Sequence, residues 1–529
     1  MTVRLPDPRD ILVREALQRN AARWPHEVFA TFEDGTSWTR EQALEEACGA
    51  AEQLGSLDVH QDDRVAVLLE NGADFFRVMF GSALLGATLV PINTSYRGVM
   101  LDKALGLSRP KILVANASTL GPVDADRLQA SGITCVEPDR IRGLSTRVPE
   151  LERPAALHDT AVLIMTSGTT GSSKLVVNSA IHAYLGGSWL ICDGGRGRED
   201  VLLLDLPLFH AAAFWWASCA LANGTRMVVR RAPAMRTYWE VVRDNDITLA
   251  LLLSTMVPFL LDQEVRTAER QHRIRLMTAS PAPKDLTTFM ERFAIPELRT
   301  GYGLTEVPTP ITSQTGDTVT GSYCGHQRPG FQCRLVDHND VQVPAGESGE
   351  LIVRAEHPWM ITSGYFDDAE ATAAAWRNGW FHTGDLMRAD EQGRFYFVDR
   401  IKEAMRRRGE NISARELEAE LRGFPGVAEV ACVPYREESW VEDEVKAWIV
   451  VEDGAQVDFE DLLRFAVDRL PYFMVPRYFE ITPDLPLTDT MRVKKVELRQ
   501  RGNSQATWDR EAHGYRVSRN GLATIASPT

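Results

Sequence analysis

The chain has 529 residues, too many for one hydrophobic core, so at least two domains are expected. Hydrophobic residues make up 44% and charged ones 25%, which is ordinary globular usage and excludes a largely disordered chain. A formal net charge of -15 argues against nucleic-acid binding, because a phosphate-binding surface needs clustered cations.

The first residues, "MTVRLPDPRDILVREALQRN", hold no apolar run of signal-peptide length, so a cytoplasmic protein is expected. Residues 64–93 place a short apolar run, a helix-period segment and a second apolar run within one crossover length, which predicts a βαβ unit. Strand-like runs follow at "KILVAN", "VLLLDL", "RMVVRR", "LALLLS" and "RIRLMTAS", so a largely parallel, helix-covered sheet is expected. The most apolar stretches, "FHAAAFWWASCALA" and "ITLALLLSTMVPFLL", are too short and too polar to span a bilayer and read as buried core. From about 320 to 400 the texture changes to Gly- and Pro-punctuated strands such as "GELIVRA" and "GRFYFVD", which suggests an antiparallel or barrel-like subdomain. Beyond it, "ARELEAELRG", "VAEVACVPY", "EVKAWIVVE" and "DFEDLLRFAVDRL" read helix, strand, strand, helix, enough for a small α+β domain.

The fold class expected is α/β: a large N-terminal domain of helix-covered parallel sheets plus a β-barrel-like subdomain, followed by a small α+β domain. The boundaries expected are 1–400, 401–505 and a polar tail over 506–529. Seven cysteines, at 48, 135, 192, 219, 324, 333 and 432, show no CxxC spacing and read as buried, reduced thiols.

Residues 165–176, "MTSGTTGSSKLV", look like a phosphate loop but fail the Walker pattern, since Gly171 is followed by two serines before Lys174. What remains is Thr166, Ser167, Gly168, Thr169 and Thr170, then Gly171 and a cation. Glycines let a backbone approach closely, and hydroxyls with N–H groups can wrap an anion, so such a loop suits a polyphosphate. Alone it is more often a turn. It is joined by "LPLFH" (206–210), "GYGLTE" (301–306), "GWFHTGD" (379–385) and "VDRIKEAMRRRGENIS" (398–413).

In that order and spacing these motifs resemble the adenylate-forming superfamily of acyl-CoA synthetases, amino-acid adenylation domains and luciferases, over roughly residues 25–515. Within it, "GWFHTGD", "RRRGENIS" and "TWDREAHGYRV" look most like carnitine/crotonobetaine-type CoA ligases. The resemblance implies that the 166–174 loop closes over the phosphates of ATP, with Lys174 adding charge. Thr305 would touch the α-phosphate, and Glu306 would hold Mg2+, a hard ion suited to carboxylate and phosphate oxygens. Tyr302, with Gly303, would meet adenine, near Ser280 and Pro281. Asp385 would take the ribose hydroxyls, with Phe397 and Arg400 beside it. Lys402 would be the hinge of the small domain, and Arg407, Arg408 and Gly409 would meet CoA or another second acceptor, although a charge run is usually a solvated face. His210, Phe214, Trp215, Ala279 and Gly303 would line the substrate pocket; core packing is an equal reading of the aromatics.

The chain departs from the family in two places. Where the family has a Gly-Lys pair whose lysine bridges substrate and α-phosphate, this chain has Met491 and Arg492 within "LPLTDTMRVKKVELR". Arg492 keeps the charge, but its planar fork is not equivalent to an ammonium; Lys494 or Lys495 could act instead. The Gly-rich turn before the adenine site reads "TASPAPKD" here. No aspartate lies between Phe209 and Ala222, which argues against an amino-acid adenylation domain.

Three functions remain open on sequence. One is a ligase that activates an organic carboxylate with ATP and passes it to CoA. The second is a diazotase that activates nitrite with ATP and passes the nitroso group to an aryl amine. The third is a catalytically silent nucleotide-binding paralogue. The partners expected are small molecules, with no nucleic acid and no membrane, and the chain is expected as a monomer or homodimer.

Overall fold

The structure, a computed structural model, describes residues 6–96, 98–116, 119–120, 128, 133–166, 174–192, 197–254, 256–280, 282, 286–400, 405–407, 410–412, 414–436, 443–470, 472, 474–487, 493–518 and 521–524. The chain divides into two compact units. Met1–Arg334, Ile352–Thr383 and Asp390–Tyr396 form the first; Leu335–Leu351, Gly384–Ala389 and Phe397–Thr529 form the second. The sequence suggests a single boundary near Arg400. The second unit instead also takes two short segments from mid-chain, joined by a backbone bond from Gly346 N–H to the Ala389 carbonyl, 2.7 Å. Strand pairing between distant segments leaves no mark in local composition, which is why a linear reading misses it.

Among the described residues, two large sheets lie wholly within the first unit. One has six strands in the spatial order Thr134–Val136, Ile112–Ala115, Arg64–Leu68, Thr88–Pro91, Thr160–Thr166, Lys174–Ser179. It is parallel except for its last pair. The expected βαβ unit is present: helix Ala73–Leu85 joins Arg64–Leu68 to Thr88–Pro91, with Arg64 opposite Thr88 in parallel register. Val65, Ala66, Val67 and Leu68 are all buried, the mark of a sheet covered on both faces. The other sheet runs Leu298–Arg299, Leu276–Ser280, Leu249–Leu253, Val201–Leu204, Arg226–Val229, Val28–Phe32, Ser37–Thr39, antiparallel only at the last pair.

Helices Ala180–Ile191 and Ala211–Asn223 are apolar around most of their circumference and pack on each other in the core. Glycine makes the approach possible: a Cβ on Gly186 would lie 2.3 Å from the Trp215 ring. The expected change of texture is also present. Strands Gly301–Leu304, Val307–Thr312 and Tyr323–Gln327 run antiparallel, and Tyr323 pairs with Tyr396.

The second unit is built on a four-stranded sheet in the order Val427–Tyr435, Glu444–Val451, Tyr478–Ile481, Trp508–Asp509. Helices Ala414–Leu421 and Phe459–Arg469 supply Leu417, Leu421, Leu462 and Leu463 to a core shared with Val430, Cys432, Val445 and Ile449. Residues beyond 506, expected as a polar tail, are folded into this unit. Trp508 pairs with Phe479, hairpin Tyr515–Ser518/Gly521–Thr524 follows, and Tyr515 and Val517 join the core. Trp508, Tyr515, Val517 and Leu522, spaced among polar residues, supply that burial, though average composition hides them.

None of the seven cysteines is in a disulfide; Cys48 and Cys219 lie in the first unit's core and Cys432 in the second's. Cys135 and Cys192 are exposed, contrary to the uniformly buried set expected. Among the described residues no helix is long and apolar enough to cross a membrane.

Candidate active site

Strands Thr160–Thr166 and Lys174–Ser179 end their ladder at the pair Thr166 and Lys174. The Thr166 hydroxyl donates to the Lys174 carbonyl, 3.4 Å. Both ends of the candidate phosphate loop are therefore held side by side at the edge of the six-stranded sheet. Ser167, Gly168, Thr169, Thr170 and Gly171 lie outside the described residues. The second strand passes straight into helix Ala180–Ile191, whose cap is the Ser179 hydroxyl accepting from His182 N–H at 3.2 Å.

Opposite this junction sits the turn between Gly301–Leu304 and Val307–Thr312. Leu304 pairs with Val307, so Thr305 and Glu306 form its tip, and both are half-buried. Three groups hold the tip. Asn178 Nδ2 donates to the Thr305 carbonyl at 3.1 Å, Thr362 N–H donates to the Glu306 carbonyl at 2.9 Å, and the Tyr365 hydroxyl donates to Glu306 Oε1 at 2.9 Å. Tyr365 is itself tied to the loop-bearing strand. It bridges Val176, while Phe366 N–H donates to the Leu175 carbonyl and Val177 N–H to the Gly364 carbonyl, 2.8 and 3.1 Å. Its ring lies 4.5 Å from the Lys174 ammonium, within cation–π range. Burial, then the negative charge of Glu306 and the bond to it, raises the pKa of the Tyr365 hydroxyl, so it stays a protonated donor.

Behind the tip, Asn178 Oδ1 accepts from Trp215 Nε1 at 2.9 Å. The His182 ring tilts against Trp215 with centroids 5.4 Å apart. Burial pushes the His182 pKa down to about 3, the Thr305 backbone only partly opposing it, so the imidazole is neutral. Arg328 is buried and donates to the Thr309 carbonyl and the Ser188 hydroxyl, both at 2.9 Å, tying the hairpin to helix Ala180–Ile191. Gly303 faces that strand closely: a Cβ there would lie 2.8 Å from Thr309 N.

The remaining first-unit candidates divide. Tyr302 is buried, and Ser280 Oγ donates to the Gly301 carbonyl at 2.7 Å, joining the end of Leu276–Ser280 to the hairpin; Ala279 is buried behind it. Pro281 lies outside the described residues. His210 is exposed at the start of helix Ala211–Asn223, its ring beside Phe209, whereas Phe214 and Trp215 are buried between helices.

In the second unit, Asp385 is buried, and the preceding Gly384 has φ +70, which a side chain would strain; its N–H donates to Glu350 Oε1 at 3.0 Å. The Arg415 guanidinium lies 5.9 Å from the Phe397 ring centre. Arg400 and Arg407 are placed as backbone, while Lys402, Arg408, Gly409, Met491 and Arg492 lie outside the described residues. Lys494 pairs with Glu497 at 3.2 Å on the surface. Lys495 is largely buried with Glu418 at 2.9 Å, and that carboxylate also accepts from Cys432 N–H at 2.6 Å.

Among the described residues no three His, Cys, Asp or Glu side chains gather as a metal cage. Glu306 offers a hard oxygen donor, the chemistry of an ion such as Mg2+ shared between one carboxylate and phosphate oxygens. Sequence reasoning missed Asn178, His182, Arg328 and Tyr365. Asn178 and His182 stand four residues apart across the strand-to-helix junction, a spacing that could have drawn attention; nothing local marks Arg328 or Tyr365.

The AMP-binding enzyme family model matches residues 17–366, the span holding the paired loop ends, the Thr305–Glu306 tip and Tyr365. The chain belongs to the adenylate-forming superfamily of AMP-binding enzymes. The AMP-binding enzyme C-terminal domain matches residues 416–492. A crotonobetaine/carnitine–CoA ligase of Escherichia coli O8 is 30% identical over 466 residues, 84% of this chain and 89% of the relative. ATP-bound MatB of Rhodopseudomonas palustris superimposes with a TM-score of 0.81 at 24% identity, over 93% of this chain and 98% of that one. O-succinylbenzoate coenzyme A synthetase of Bacillus subtilis, in complex with AMP, does so with a TM-score of 0.81 at 23% identity, over 93% and 99%. Among AMP-binding enzymes the chain is thus similar to acyl-CoA synthetases in sequence and in fold.

Proposed function

We propose that this protein is an AMP-forming ligase that activates a small organic carboxylate with ATP and passes the acyl group to the thiol of CoA. The observation that carries the reading is the junction of Thr166, Lys174, Thr305 and Glu306, where the paired ends of the candidate phosphate loop are tied through Tyr365 to a carboxylate. The relationship to a CoA ligase at 30% identity supports the choice of acceptor.

In this reading a substrate carboxylate oxygen bonds to the α-phosphorus of ATP while the bond to pyrophosphate breaks. Two anions must meet, so neutralisation and positioning carry the barrier. Mg2+, held by Glu306, would supply charge at the phosphates. Lys174 adds a cation at the loop's exit, the Thr305 hydroxyl orients the α-phosphate, Tyr302 meets the adenine and Asp385 accepts from the ribose hydroxyls. Arg492 is assigned to bridge carboxylate and α-phosphate. The CoA sulfur then bonds to the acyl carbon, AMP leaves, and the thiol proton passes to solvent. Lys402 is assigned as the hinge of the small domain, with Arg407, Arg408 and Gly409 toward the CoA phosphates.

The Met491–Arg492 pair keeps a second reading in view, nitrite as the activated oxyanion and an aryl amine as acceptor. One experiment separates them: AMP release from ATP is measured over a panel of acids, carnitine and crotonobetaine included, and over nitrite plus aryl amines, with and without CoA. Acid-dependent AMP release with thioester formation supports the ligase. Nitrite-dependent release without CoA favours the diazotase, and ATP left intact by every partner leaves only the silent paralogue.

A further inference from the structure

We propose that Tyr365 is a positioning residue that couples the two charged arms of the nucleotide site, fixing the Glu306 carboxylate through its hydroxyl and the Lys174 ammonium through its ring face. The inference rests on the reading that Glu306 and Lys174 face a metal-bound nucleotide. One side chain makes both contacts, 2.9 Å to Glu306 Oε1 and 4.5 Å to the Lys174 Nζ. It does so from a backbone that cannot drift independently of the loop strand. The segment is laced to Leu175 and Val177, and Tyr365 N–H is held by the Thr372 hydroxyl at 2.9 Å. The same segment fixes the backbone of the tip through Thr362 N–H and the Glu306 carbonyl.

The consequence is chemical. A phenol is a neutral donor, so its bond to Oε1 orients the Glu306 carboxylate without itself cancelling the negative charge. Lys174, resting on the ring, is kept from collapsing onto Glu306 as an ion pair, which would cancel both charges before ligand arrives. Tyr365 thus holds the Glu306 carboxylate by its hydroxyl and the Lys174 ammonium by its ring face without pairing the two with each other, which suits a site for a phosphate chain together with its metal.

The test measures ATP binding by calorimetry in Mg2+ and in EDTA. The Tyr365→Phe variant keeps the ring and loses the hydroxyl. It is expected to lose about tenfold of the Mg2+-dependent tightening while binding in EDTA stays near wild type. Tyr365→Leu, which also loses the ring, is expected to weaken binding in both arms. Glu306→Gln should abolish the Mg2+ effect, and adding Tyr365→Phe to it should cost nothing more, since the two act through one contact. Equal losses in Mg2+ and EDTA for Tyr365→Phe, or additive losses in the double variant, would overturn the proposal and leave the ligase reading standing. A wild-type protein that binds no ATP in either arm would overturn both.

Discussion

His182 is neutral in the fold because burial holds its pKa near 3, whereas an unfolded histidine titrates near 6.5. Its contribution is complete above about pH 6.5 and is lost as pH falls toward 3, because only the unfolded chain gains the proton in that window. His182→Gln should flatten the stability profile between pH 7 and 4, read by urea unfolding; parallel profiles would mean that the ring is not held neutral. Asp205 carries the opposite sign. It is fully buried, and burial raises its pKa to about 7, opposed by its own backbone and by Arg230. Stability is greatest where its carboxyl is protonated and falls as pH rises from about 4 to 7, so Asp205→Asn should gain stability at pH 8 and little at pH 4. Asp385→Ala should weaken ATP binding by about tenfold or more, the scale of hydrogen bonds to a charged acceptor. At this scale the sequence was half legible. Thr305 and Glu306 announce themselves within a short motif. Asn178 and Tyr365 do not, because their partners lie 127 and 59 positions away and neither residue type is unusual where it stands.

Elements place these residues with little slack. The loop strand becomes a helix without an intervening turn, so Asn178, Ser179 and His182 sit where strand direction and helix cap jointly decide. The helix is then pinned against Ala211–Asn223 by Gly186. Gly186→Ala would place a methyl group 2.3 Å from the Trp215 ring. A cost of about 1–3 kcal/mol is expected, seen as a lower urea midpoint at unchanged m-value. Strands and helices were well predicted where apolar periodicity is strong, as in residues 64–93. Pairing was not, because an antiparallel partner is chosen by side chains that meet only after folding.

At the scale of the molecule, the second unit depends on a buried polar group as well as an apolar core. Lys446 is fully buried and donates to Glu480 Oε2 at 2.7 Å, and the Ser504 and Thr507 hydroxyls also donate to that carboxylate. Burial lowers the lysine's pKa, with Glu480 opposing. Lys446→Met would strand the carboxylate, a loss of about 3–5 kcal/mol. Calorimetry should then show the transition of the second unit moving down by several degrees while the first unit's stays; a common shift would mean that the two melt as one. Trp508, Tyr515 and Val517 belong to the same account, and they are why residues beyond 506 fold despite polar surroundings. Domain class was readable from the alternation of strand and helix signals; the mid-chain segments of the second unit were not, for want of any composition change at their ends.

The distribution of thiols has a practical consequence. Cys48 and Cys219 are sealed in one interior and Cys432 in the other, while Cys135 and Cys192 stand open to solvent. A pulse of alkylating reagent followed by peptide mass analysis would mark the two open sites at once and the sealed ones only when their own interior breathes. The wild-type chain therefore carries a native clock for each half, and the opening rates of the two can be timed separately without introducing a single label.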